Sequence, residues 1–184
     1  MTLFTIGHGN RSADRFQVSL RDHGIAWIVD VRSYPASRRW PWFGRGELEP
    51  ALARAGIGYT WLGRALGGRR RWTRACDNHH PGLQSAAMRA FAEHMAGPRF
   101  RDGLDEALPL AASARTALLC AEIVPEHCHR ALIADCVVLL HDRPVRHLLP
   151  DGTTRRHAVT TSARIAGTTL VYDGGVSRSF DFPG

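Results

Sequence analysis

What most narrows the fold of this chain is a unit that comes round several times along it: a short apolar run, a loop of glycines and charged residues, then apolar positions at helical spacing. Leu3 to Ile6 runs into Gly7-His8-Gly9-Asn10, and Ser12 stands where it can cap a helix whose Phe16 and Leu20 share one face. Gly24 closes that helix, and Ile25 to Val31 is the second buried run. Leu48, Leu52 and Ala55 mark another helix closed by Gly56, followed by a third strand over Gly58 to Leu62. After a polar, His-rich break from Asp77 to Gly82, Leu83, Ala87, Phe91 and Met95 form a helical stripe that stops at Gly97-Pro98, and a further helix carries Leu104, Leu108 and Ala111. Thr116 to Leu119 then reads as a strand, and Ala131 to Leu140 as a helix with Pro125 and Glu126 in its first turn. Val145 to Leu149 is another strand, and Thr169 to Tyr172 a peripheral one ahead of a disordered or loosely attached tail. Apolar strands alternating with amphipathic helices predict an α/β fold, a mainly parallel sheet with helices on both faces. We expect one Rossmann-like compact domain over residues 1–184, of which 150–184 form a peripheral C-terminal extension.

In such folds ligands sit beyond the carboxyl ends of the strands, and that is where the titratable residues of this chain gather. Between Cys120 and Arg130 lie two thiols, two acids, two histidines and an arginine. Glu122, just past a strand end, suits a general base or the stabilisation of a cationic sugar transition state, with His8 as its acid partner. Equally, Glu122 can be a structural ion pair with Arg130 or Arg32. Gly7, Gly9 and Asn10 would bring backbone N–H groups to an anion, helped by Arg32, Ser33, Arg38 and Arg130, or else form a tight turn around a hydrogen-bonded His8. Asp30 lies inside an apolar run, so it is expected to be buried and paired with an arginine or backbone donors.

A nucleophilic Cys128 is a weaker proposition. A free thiol is only about 3% ionised at neutral pH, and a helix N-terminus shifts it by less than about one pH unit. His129 or Arg130 would have to turn towards the sulfur, although neighbours within a helix do not face each other. Zinc on Cys120, Cys128 and a histidine, with Cys76 and His79 or His80 in reserve, lacks the spacing of a Cys-x-x-Cys knuckle and a named fourth ligand. No metal ligand set is therefore assigned.

The formal charge of +7 points to an anionic partner, and all 24 basic residues are arginine, whose planar fork suits phosphate. Two basic and aromatic loops, Arg38 to Arg45 and Arg69 to Arg74, could follow a nucleic-acid strand, with Arg70 on phosphate and Trp42 and Trp72 stacking on bases. The alternative is that these tryptophans anchor long loops to the core while the arginines stay solvated. No run of about eighteen apolar residues suggests a membrane span, and Met1 to His8 lacks the layout of a signal peptide. With four cysteines in no paired framework, the expected location is the reducing cytoplasm.

The assembled motifs resemble an uncharacterised bacterial family, domain of unknown function 488. They are Thr5-Ile6-Gly7-His8-Gly9-Asn10, Asp30-Val31-Arg32-Ser33 with Pro35, Ser37 and Arg38, Leu66-Gly67-Gly68, and Cys120-Ala121-Glu122 with Pro125 and Cys128-His129-Arg130. The last is the most specific, and the likeness extends over about residues 3–173. This resemblance implies a compact α/β domain and no catalytic role, because the family's activity is not established. Relatives usually carry Ser where this chain has Gly9, and its loop from Trp40 to Phe43 is unusual.

Three functions remain open. One is an enzyme acting on a nucleotide or nucleic acid, at an N-glycosidic or phosphate-adjacent bond, through Glu122, His8 and arginines. The others are a nucleic-acid-binding module without catalysis and a thiol- or metal-dependent redox protein.

Overall fold

In a computed structural model that describes residues 1–174, the recurring unit builds an α/β domain around a six-stranded sheet. Strands β1 (Leu3–Gly7), β2 (Trp27–Asp30), β3 (Gly58–Trp61), β4 (Thr116–Cys120) and β5 (Val145–Leu148) run parallel, while β6 (Thr154–Arg156) pairs antiparallel to β5. The order across the sheet is β3-β2-β4-β1-β5-β6, so β1, β4 and β2 lie side by side and their carboxyl ends open onto one region.

Alternation along the strands divides the core in two. Phe4, Ile6, Ile28, Ala117 and Leu119 face Phe16 and Leu20 of α1 (Ala13–Asp22) and Leu48 and Leu52 of α2 (Arg45–Arg54). Val29, Val31, Leu118 and Cys120 belong to the opposite cluster. There they join Leu66 of α3 (Gly63–Leu66), Phe91 of α5 (Ala86–Met95), Leu104 of α6 (Pro98–Ser113) and Leu132 of α7 (His129–His141). Burial on both faces is why these strands are apolar throughout. Ser12 caps α1 by accepting from the Arg15 amide at 3.3 Å, and Gly24 and Gly56 take the positive φ that ends a helix cleanly.

Several sequence expectations are corrected. Pro125 and Glu126 do not open α7; they form a separate 3-10 turn (Pro125–His127), and α7 starts at His129 after an extended Cys128. The break at 77–82 is partly helical, because Thr73 and Cys76 form a reciprocal cap that starts α4 (Arg74–His79). Strand β8 (Thr169–Tyr172) pairs with β7 (Ala163–Ala166) in a hairpin outside the main sheet, yet its Leu170 and Tyr172 are fully buried in the core. The expected tail, 175–184, lies outside the described residues. Among the described residues no helix is long and apolar enough to cross a membrane.

Candidate functional site

Backbone pairing continues past the strand ends and ties three distant segments together. His8 N–H donates to the Cys120 carbonyl and Gly9 N–H to that of Ala121, both at 2.9 Å, and Val31 N–H reaches the Leu119 carbonyl at 3.0 Å. Above these junctions opens a cavity of about 890 Å3, lined by His8, residues 32–34 and 36–38, Gly68 and Arg69, the start of α5, and residues 120–122 and 127–129. Convergence of the first glycine loop with the thiol-rich junction is thus a property of the fold.

The glycine loop does not cradle an anion. The His8 and Gly9 amides are spent on the 120–121 backbone, and a Cβ at Gly7 would stand 1.8 Å from the Glu122 carbonyl oxygen. Gly9, at φ 55°, packs on Ile123. Asn10 lies away from the cavity, beside a groove shared with Arg11 and Asp151. These glycines serve close packing of two loops rather than phosphate binding.

Two of the three arginines expected to bind a ligand are structural. Arg32 lines the cavity, but its Nε donates to Asp30 at 2.9 Å and its Nη1 to the Phe43 carbonyl at 2.7 Å, while Tyr59 also donates to Asp30 at 2.7 Å. Asp30 is thus buried and paired as its place in the strand requires. Arg130 gives Nη1 to the Glu122 carbonyl and Nη2 to that of Ile123, the latter at 2.7 Å. It therefore holds the 122–123 turn and leaves anions to others. Arg38 is exposed on the cavity, where Arg69 joins it with its guanidinium 5.6 Å above the Tyr34 ring and its amide donating to Ser33 Oγ at 3.0 Å. Sequence reasoning passed over Arg69 as one of six residues in a basic run.

His8 is buried, stacked on Phe43 with ring centroids 4.2 Å apart, and its Nδ1 lies 2.9 Å from the Gly9 carbonyl. Only a donor can sit there, so the lone pair belongs to Nε2. Burial brings its pKa down to about 4, against the Gly9 hydrogen bond and with help from the Arg32 charge. At neutral pH His8 is an uncharged proton acceptor, not the acid expected from the sequence. Glu122 is exposed on the cavity wall. Among the described residues it forms no ion pair with Arg32 or Arg130.

At the floor lie Cys120, Cys128 and His129. Because Cys128 is extended rather than helical, the next residue can turn back to it: His129 Nδ1 is 3.6 Å from Cys128 Sγ and 3.9 Å from Cys120 Sγ. The expectation that these neighbours could not face each other fails for that reason. Gly68 makes the room, since a Cβ there would stand 2.5 Å from Nδ1. The two thiols are driven apart electrostatically. A hydrogen bond from Cys128, aided by His129 and the Glu122 amide, holds Cys120 well below the usual thiol range. Burial and the Cys120 sulfur push Cys128 well above it. Cys120 is thus the more acidic thiol, whereas the sequence had offered Cys128 as the candidate nucleophile.

Trp42, Arg70 and Trp72 do not line this cavity. Trp42 donates to the Arg11 carbonyl at 3.1 Å and contacts Trp40 and Phe43, as a loop anchor would. Arg70 is held by the Ala65 carbonyl at 2.8 Å, whereas Trp72 is 48% exposed with its indole N–H on Asp77.

A family model described as domain of unknown function DUF488 matches residues 12–137, which includes the Cys120 to Arg130 junction and excludes the first glycine loop. No curated protein and no solved structure matches the chain.

Proposed function

The chain belongs to the family described as domain of unknown function DUF488, and we propose that it is an enzyme acting on a nucleotide or nucleic acid at an N-glycosidic or phosphate-adjacent bond. One observation carries this reading: His8, Glu122 and the Cys120, Cys128 and His129 group share a cavity whose mouth bears Arg38 and Arg69. Its volume, about 890 Å3, lies within the range of small-molecule sites. Glu122 acts as general base or sets its charge against a cationic sugar, and uncharged His8 accepts a proton or a hydrogen bond from the substrate. Arg38 and Arg69 hold the phosphate, in keeping with the chain's net charge of +7. All four cysteines are free, which suits a reducing cytoplasm.

The test is a turnover screen on modified nucleotides and oligonucleotides, comparing wild type with Glu122→Gln. We expect turnover by wild type and a loss of about 100-fold or more in the variant. Equal inertness of both proteins across the screen would sink the proposal. Salt-sensitive oligonucleotide binding that survives Glu122→Gln but weakens in Trp42→Ala or Trp72→Ala would point instead to a binding module without catalysis.

A further inference from the structure

The three donor atoms at the cavity floor are grouped as the ligands of a metal ion would be. His129 Nε2 lies 3.1 Å from the Val31 carbonyl, which can only accept, so the ring proton sits on Nε2 and a single lone pair remains on Nδ1. Both sulfurs approach that one lone pair, at 3.6 and 3.9 Å. A cation fits among the three atoms: zinc bonds of about 2.3 Å to sulfur and 2.0–2.1 Å to nitrogen, at tetrahedral angles, set S and N about 3.6 Å apart. All three ligand atoms lie within 4.8 Å of one another.

We propose that Cys120, Cys128 and His129 bind one zinc ion whose fourth position opens onto the cavity. Two sulfurs and one imidazole select a thiophilic ion over magnesium or calcium. Any thiol proton still held on either sulfur leaves to solvent as the ion enters, and the two thiolates cancel the ion's charge, as a buried site requires. The surroundings resemble the outer shell of a metal centre. The Val31 carbonyl fixes the tautomer and tilt of His129, Gly68 clears space for its ring, and Arg130 pins the turn between the two cysteines. Three protein ligands with an open position facing a cavity are the pattern of a catalytic zinc rather than a structural one. The sequence offered Cys120, Cys128 and an unspecified histidine without knuckle spacing; the fold supplies His129 as that histidine and sets the three side chains together.

This inference does not depend on the substrate reading, since its test uses metal alone. Wild-type protein, stripped with a chelator and titrated with zinc against a chromophoric indicator, takes up one equivalent with a Kd below about 1 μM. Cobalt(II) in its place gives thiolate-to-metal charge-transfer absorption and the intense visible bands of a tetrahedral site. Cys128→Ser and His129→Ala each weaken zinc binding by more than about 100-fold, beyond the cost of losing an outer-shell contact. Cys76→Ser, outside the cluster, leaves one equivalent bound. Less than half an equivalent in folded wild type, or full uptake that survives both substitutions, overturns the proposal. Should either variant fail to fold by circular dichroism, the wild-type cobalt spectrum decides, and one without sulfur charge transfer overturns it.

Discussion

Arg38 lines the cavity and Arg130 supports the turn behind it, and although they carry the same charge their surroundings differ. Arg130 is 1% exposed, with both terminal nitrogens on main-chain carbonyls of the turn it supports. A hydrogen bond to a charged group contributes about 1.5–3 kcal/mol, so Arg130→Ala should cost about 3–5 kcal/mol in urea unfolding, through lost bonds and lost packing. Arg38→Ala should leave stability within about 0.5 kcal/mol, and under the proposed function it should weaken nucleotide binding in calorimetry. Wild-type stability in Arg130→Ala would contradict its assignment as a structural cation. Asp30 was legible as buried and paired because an acid inside an apolar run has few other fates. The fork of Arg130 was not, because its partners are carbonyls, which every residue has and no motif records.

Glycines separate in the same way once their elements are known. Gly46 lies in α2 with no atom within 4 Å of a built Cβ, so Gly46→Ala should stabilise the protein by about 0.5–1 kcal/mol. Gly7 is the opposite case: its Cβ would meet the backbone of the neighbouring loop at 1.8 Å, and Gly7→Ala should cost about 2–4 kcal/mol as β1 and β4 are forced apart. Thermal unfolding of the two variants, shifted in opposite directions, checks both. A second device joins elements through side chains. Thr5 of β1, His147 of β5, His157, Asp135 of α7 and Tyr172 of β8 form a buried chain of hydrogen bonds, with contacts of 2.7, 2.9, 2.8 and 3.2 Å in turn. Tyr172→Phe removes one end and should cost about 1 kcal/mol. Asp135→Ala strips His157, the Thr160 amide and Tyr172 of a shared acceptor, and should cost about 3 kcal/mol or more in the same measurement. Reading β8 as peripheral overlooked that short strands can send alternate side chains inward.

For the molecule as a whole, buried histidines predict acid lability. Burial, with the like charges of His157, Arg130 and Arg155 around it, lowers His147 from 6.5 to about 3, and His8 falls to about 4. Because the unfolded chain binds these protons more readily, stability is complete above about pH 6.5 and falls as pH drops towards 4. Each histidine contributes a slope of up to about 1.4 kcal/mol per pH unit. Urea unfolding at pH 7 and pH 5 should therefore show a loss of a few kcal/mol, and a flat profile would contradict the uncharged burial of both rings. Helix and strand periods are local, and they were enough to set the α/β class, the order of its main elements and the strand ends as the place to look. The site itself was decided by strand order. Inserting β4 between β1 and β2 puts residue 8 in backbone hydrogen-bonding distance of residue 120 and residue 31 of residue 119, turns two expected ligand arginines into supports, and aims one imidazole nitrogen at two thiols. Such assignments depend on which carbonyls and sulfurs meet across the sheet, and contacts between residues about a hundred positions apart leave no periodic trace in a single chain.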